Sequence, residues 1–171
     1  MEALYQFTVP MFVKQLGALR NILDKVAAHA QEQHVDEITI LQDKLAPDMF
    51  TFTRQVQIAC DNAKGATARL AGVEVPKHED TETTVAQLQS RIDKTLEFVK
   101  SVPESAFADA ATRQVTLAFL PGKYMTGYDY AREYAIPNFL FHVVTAYALA
   151  RRNGVQIGKA DFMNGLPLKD L

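Results

Sequence analysis

The chain has 171 residues, of which 48% are hydrophobic and 22% are charged, and its formal net charge is -2. This length suits one domain, and the apolar fraction excludes an intrinsically disordered chain. With 18 basic and 20 acidic residues, the chain lacks the positive charge of proteins that bind nucleic acid through phosphates. A single cysteine excludes an internal disulfide. We therefore expect one domain over 1–171 and no nucleic-acid partner.

The sequence also argues against export and against membrane insertion. No basic region precedes an apolar segment at the N-terminus, so no signal peptide is expected. The longest apolar run, 139–150, is shorter than the roughly 20 residues that cross a bilayer, and His142 and Thr145 interrupt it. We expect a soluble, cytoplasmic protein with no membrane partner.

Apolar residues at three- and four-residue spacing mark the first half of the chain as helical. One such stripe predicts a helix near 8–31, with Thr8 as its cap. A short helical piece follows over 36–45. A second long helix is predicted from about 51–71, with Gly72 just past its end as a left-handed C-terminal residue.

The spacing of apolar residues changes in the second half of the chain. A third helix is predicted from Asp80 or Thr81 to a residue before Pro103. Apolar and polar residues then alternate over 114–119, which is the spacing of a strand. A turn signal and a return strand follow, so we predict one β-hairpin over about 113–127.

The last long helix is predicted over about 129–153, with a kink or break at Pro137. Together the four amphipathic helices predict an all-α, up-down four-helix bundle with the hairpin inserted before the last helix. The segment 139–150 is apolar on nearly every side, so it is either central to the core or shared with a second subunit. We expect a homodimer that forms through it.

The polar residues of the second and last helices are the candidate site. His142 is the one ionisable group in its apolar stretch, and a buried imidazole requires a hydrogen-bond partner or a metal. Asn138 lies four residues earlier on the same helical face. Gln57 and Asp61 are also four apart, close to the apolar stripe of the second helix. Two interpretations stay open: these residues line a pocket, or Gln57 or Asp61 satisfies a structural His142.

The other reactive side chains predict no site. We expect His29, His34 and His78 at the surface and Cys60 as a small buried side chain. No glycine-framed nucleophile and no phosphate-binding loop is present. Five aromatic residues around the hairpin predict either a satellite core or the mouth of a pocket: Phe119, Tyr124, Tyr128, Tyr130 and Tyr134.

Five segments of the chain resemble an uncharacterised bacterial family of unknown function. They are LAPDMF at 45–50, RQVQIACD at 54–61, ARLAGVE at 68–74, PNF at 137–139 and HVVTAY at 142–147. This family is in turn similar to the DinB-like/YfiT-like four-helix superfamily. The resemblance implies the same fold, and it implies relatives that are metal-dependent hydrolases or thiol-dependent transferases, often dimeric.

The resemblance also implies where a metal would bind. The superfamily's usual site takes one histidine from the second helix and a His-x-x-x-His pair from the last helix. Here the pair matches Asn138 and His142, and the second-helix position most nearly matches Gln57. Because amides bind transition metals poorly, we expect no cofactor and no metal. If a divalent transition metal does bind, His142 would be its ligand, with Asp61 or Asp48 replacing a lost histidine.

We therefore predict a protein that binds a small molecule in a bundle pocket without a complete three-histidine metal site. The pocket candidates are Gln57, Asp61, Asn138 and His142, and His142 acts as a neutral hydrogen-bonding group. One alternative is a metal-dependent hydrolase or thiol-dependent transferase that uses the same pocket. The other is a purely structural dimer with no pocket. Whether the chain is an enzyme stays open.

Overall fold

The computed structural model describes residues 3–170, in which helices predominate. The first half contains α1 (Ala3–Glu32), α2 (Glu37–Leu41) and α3 (Phe52–Ala71), and α4 (Val85–Ser101) follows an extended segment. A 3₁₀ turn (Glu104–Phe107) leads to strands β1 (Gln114–Thr116) and β2 (Tyr124–Thr126). The last part contains α5 (Gly127–Asp129), a π-helical segment (Tyr130–Ala135), α6 (Ile136–Arg152) and α7 (Lys159–Met163).

Three of the predicted helix boundaries are confirmed by their caps. The Asp36 side chain accepts from the backbone N–H of Ile38 at the start of α2. Thr51 does the same for Arg54 at the start of α3, and Gly72 ends α3 in the left-handed region with φ 72°. Each cap satisfies a backbone group that the helix itself leaves unpaired.

Two predicted helix starts are wrong. Thr8 does not cap α1, which begins at Ala3; its hydroxyl donates to the carbonyl of Leu4, one turn earlier in the same helix. The third long helix begins at Val85 rather than near 80, because Thr84 and Gln87 form a capping box there. The residues before it stay extended and lie beside α4.

The predicted hairpin is confirmed, but its strands are shorter than the alternation suggests. β1 and β2 are antiparallel, with Val115 opposite Met125, and each has three residues. β1 ends at Thr116, and the side chain of Phe119 in the turn is mostly exposed. Tyr130 is buried in the main core and stacks on Tyr134 with ring centroids 5.8 Å apart, so these two rings extend the main core and do not form a separate one.

The kink or break predicted at Pro137 takes the form of a π-helical segment just before it. Proline has no N–H to donate to the carbonyl four residues back, so the α-helical pattern is interrupted at this point. The N–H of Ile136 instead donates to the carbonyl of Ala131, five residues earlier, and Tyr130–Ala135 is π-helical. The α-helical pattern resumes in α6.

The four long helices form one bundle around a shared apolar core. α1 packs mainly against α4 and α6, and α3 packs mainly against the same two helices. α1 and α3 therefore lie across the bundle from each other, although they are consecutive among the four long helices. Fully buried side chains such as Phe12, Leu19, Val56 and Phe139 fill the centre. In residues 3–170, no helix is both long enough and apolar enough to span a membrane.

One face of α6 is apolar and uncovered in the single chain. Phe141 is 54% exposed and Val144 is 47% exposed. They are three residues apart and lie on the same side of the helix. The opposite side, with Phe139, Val143 and Ala146, is buried in the core. Pairing through α6 thus remains a prediction.

Candidate functional site

The imidazole of His142 is held between α6 and α3. Its Nδ1 lies 2.6 Å from Oε1 of Gln55, and both side chains are buried. One of the two interpretations left open above made Gln57 or Asp61 the partner of a structural His142, but the residue that contacts His142 is Gln55. Gln55 falls three residues after Phe52 and four before Ala59, so it lies on the apolar face of α3.

The amide of Gln55 fixes the proton on His142. Its Nε2 donates to the backbone carbonyl of Phe50 at 3.2 Å, which leaves Oε1 facing the imidazole. A carbonyl oxygen can only accept, so Nδ1 of His142 must carry the proton. In the neutral ring Nε2 then keeps its lone pair. Within residues 3–170, Nε2 has no hydrogen-bond partner, and it is not among the polar atoms closed off from solvent.

The surroundings keep this imidazole neutral near pH 7. Burial lowers the pKa of His142 below its usual value of 6.5, and the positive charge of Arg54 lowers it further. The Phe141 ring meets the imidazole edge-on, with centroids 5.2 Å apart. His142 is therefore a neutral acceptor beside an exposed aromatic ring.

Asn138 lies one turn before His142 but has a different partner. Its Nδ2 donates to Oδ1 of Asn62 on α3 at 2.9 Å. The Nδ2 of Asn62 is buried and has no partner within the described part of the chain. The α3–α6 junction thus contains two separate polar pairs, Gln55 with His142 and Asn62 with Asn138.

The other two predicted residues form hydrogen bonds on the side of α3 that faces α4. Gln57 donates to Oε2 of Glu82 at 2.9 Å and accepts from Arg54 at 3.1 Å. Asp61 forms ion pairs with Arg91 at 2.9 Å and Lys64 at 3.0 Å. The structure therefore brings Gln57 and Asp61 to one group of charges, and it brings Asn138 and His142 to the α3–α6 junction.

Arg91 is the centre of the group of charges that includes Gln57 and Asp61, and the sequence patterns were not used to predict it. Its side chain is buried and pairs with Asp61, Asp80 and Glu82. A signal was present, because Arg91 lies three residues after Leu88 and four before Thr95, on the buried face of α4. An arginine at a buried position requires acidic partners from other segments.

The residues at the α3–α6 junction do not fit the three-histidine site that the resemblance implies. The side chains there that could coordinate a metal are one imidazole and three amides, and amides are weak ligands for transition metals. Among residues 3–170, no group of three or more His, Cys, Asp and Glu side chains could hold a metal ion. Cys60 is buried, and burial raises the pKa of its thiol to about 12.

Comparison with known proteins places the chain in a family. It is similar to a solved structure described as a DinB family member protein from Shewanella denitrificans, with 46% identity and a TM-score of 0.94. The match covers 98% of this chain and 96% of that one, and the chain has the same fold, a DinB-like four-helix bundle with a small hairpin. No curated protein matches the chain. The family model described as "Domain of unknown function (DUF1993)" matches residues 4–163, and the chain belongs to that family.

Proposed function

We propose that this protein binds a small molecule at the junction of α3 and α6, where His142 accepts a hydrogen bond from the ligand. The observation that carries the proposal is the fixed amide of Gln55. It holds the proton on Nδ1 of His142 and leaves the Nε2 lone pair without a partner in the described chain. An oriented acceptor of this kind is typical of a site that fixes a ligand's orientation.

The neighbouring side chains indicate the class of ligand. Phe141 packs edge-on against the imidazole and is more than half exposed. Phe50, whose carbonyl orients Gln55, also has an exposed side chain. An apolar ring beside one acceptor suits a ligand with an apolar body and a single O–H or N–H donor.

Phenol is a minimal probe for this proposal, and anisole is its matched control without a donor. We expect phenol to shift the ring NMR signals of His142 in a saturable way and anisole to do so much less. With the ring signals of Phe141 as the reporter, His142→Leu should abolish the response to phenol, whereas His29→Leu, on α1, should leave it unchanged. Equal binding of phenol and anisole, or a proton on Nε2 in the free protein, would contradict the proposal.

The two alternative functions give different results. In a metal-dependent enzyme, protein from metal-replete cells would contain stoichiometric Zn, Ni or Fe that is lost in His142→Ala, and elemental analysis would detect it. In a purely structural dimer, His142→Leu would leave fold and assembly intact, and no probe would bind to the wild type. Either result would replace the binding proposal.

A further inference from the structure

A cavity of about 360 Å³ lies between α4 and the extended segment that precedes it. It is separate from the His142 site, because none of Gln55, Asn138 and His142 lines it. Lys77 and His78 contribute from the extended segment, and Ser90, Arg91 and Lys94 contribute from α4. The small-molecule site proposed above does not use these residues.

Arg91 lies in the wall of the cavity with most of its donors occupied. One terminal nitrogen bonds to Glu82 and to the carbonyl of Glu79, both at 3.0 Å. The other pairs with Asp61 and Asp80, each at 2.9 Å. The Nε–H is buried and has no acceptor in the described part of the chain. Arg91 is thus fixed in the wall by its own acidic partners, so charge that is available to a ligand must come from other side chains of the lining.

Two lysines at the cavity add positive charge that is not paired with a carboxylate of the described residues. Lys77 and Lys94 line the cavity, and within residues 3–170 neither forms an ion pair. Of the two glutamates in the lining, Glu82 is bonded to Arg91 and to Gln57. Glu79 is the remaining acidic side chain of the lining. Two lysines therefore line the cavity with one glutamate whose carboxylate is not bonded to Arg91.

The pKa of His78 is consistent with an excess of positive charge at the cavity. Its Nδ1 is buried without a hydrogen-bond partner in the described residues. Burial lowers the pKa of His78 below 6.5, and the charges of Lys64, Arg91 and Lys94 lower it further against the opposing effect of Asp61. Cations thus outweigh the nearby carboxylates at this imidazole.

We propose that the cavity binds an oxyanion, the phosphate or carboxylate group of a small metabolite. Lys77 and Lys94 supply the charge, and the Ser90 hydroxyl supplies a further donor. Oxyanions accept several hydrogen bonds at once and are the natural partners of arginine and lysine. A bound anion stabilises the protonated, positively charged form of His78 and therefore raises its pKa. By linkage, protonation of His78 at lower pH makes the anion bind more tightly.

Inorganic phosphate and succinate, each compared with sodium chloride at equal ionic strength, test the proposal. We expect at least one of them to raise the pKa of His78 in an NMR titration, with saturation, and sodium chloride to leave it nearly unchanged. A response to phosphate alone assigns the site to phosphoryl groups, and a response to succinate alone assigns it to carboxylates.

Two lysine variants separate the site from general charge effects. Lys94→Gln should weaken anion binding about fivefold, the upper end expected for one partly exposed charge pair. Lys100→Gln removes the same charge from the same helix but lies outside the lining, and it should leave binding unchanged. No saturable response of His78 to either anion, or equal weakening by both variants, would overturn the proposal. The phenol experiment at His142 is unaffected by either result.

Discussion

At the scale of single residues, Gln55 is the side chain that determines the chemistry of His142. It lies at the centre of a chain of hydrogen bonds from the Phe50 carbonyl to the imidazole. Gln55 does not titrate, so it fixes the proton position without adding charge. A carboxylate at the same position would stabilise the protonated ring instead.

Replacing Gln55 by leucine should lower the free energy of unfolding by about 1–3 kcal/mol, because it leaves the buried Nδ1–H of His142 without an acceptor. Gln31→Leu makes the same change at an exposed position of α1 and should have little effect. Urea denaturation of the two variants measures the difference. Equal stabilities would show that the hydrogen bond contributes nothing net.

Stability should also depend on the protonation of His142. Its pKa in the folded state is lowered, so the unfolded chain binds the proton more tightly. The resulting stabilisation is fully present above the unfolded value of 6.5, and it is lost as the pH falls through the lower folded pKa. Unfolding free energies measured between pH 7.5 and about pH 5 should fall less in His142→Leu than in wild type. His78 contributes with the same sign in both proteins, so a parallel fall would contradict this assignment.

At the scale of elements, the start of α5 depends on a close approach of two backbone segments. A Cβ on Gly127 would collide with the backbone carbonyl of Ala110, which cannot move as a flexible side chain could. The next residue, Tyr128, donates its N–H to the carbonyl of Ala111. Gly127 thus joins the end of the hairpin to the loop after α4.

Gly127→Ala should therefore destabilise the protein by about 1–3 kcal/mol through overpacking. Gly158→Ala is the matched control, because nothing lies within 4 Å of a Cβ at that position and its φ of -140° suits any residue. Thermal unfolding of both variants gives the comparison. A Gly127→Ala protein as stable as the Gly158→Ala protein would mean that the two segments separate at little cost.

At the scale of the whole molecule, the apolar outer face of α6 bears on assembly. Phe141 and Val144 expose large apolar side chains on one side of this helix, and exposed apolar patches commonly mark sites of association. We propose that two copies of the chain pair through this face. Because Phe141 also lies beside His142, pairing and ligand binding at the α3–α6 junction would be coupled.

Val144→Glu should shift the protein from dimer to monomer, because a charge would be buried in the paired face. Val73→Glu alters an exposed valine in the segment between α3 and α4, and it should leave assembly unchanged. Sedimentation velocity at several concentrations distinguishes the two. A wild type that is monomeric at all concentrations would rule out this pairing.

The elements of this protein could be predicted from the sequence because their signals are local. The spacing of apolar residues marks each long helix, and Asp36, Thr51 and Gly72 act on backbone groups a few residues away. The false cap at Thr8 has the same local origin, since a hydroxyl can also bond within the helix. The identity of His142 as a buried polar group follows from its apolar neighbours.

The partners of the site residues were decided by the tertiary structure. Periodicity indicates which face of a helix is buried, but it does not indicate which helix that face meets or at what height. α3 meets α6 on one side and α4 on another, so Gln55 reaches His142 whereas Gln57 and Asp61 reach the residues around Arg91. Side chains two positions apart on a helix point in different directions, and only the packed bundle determines what each one contacts.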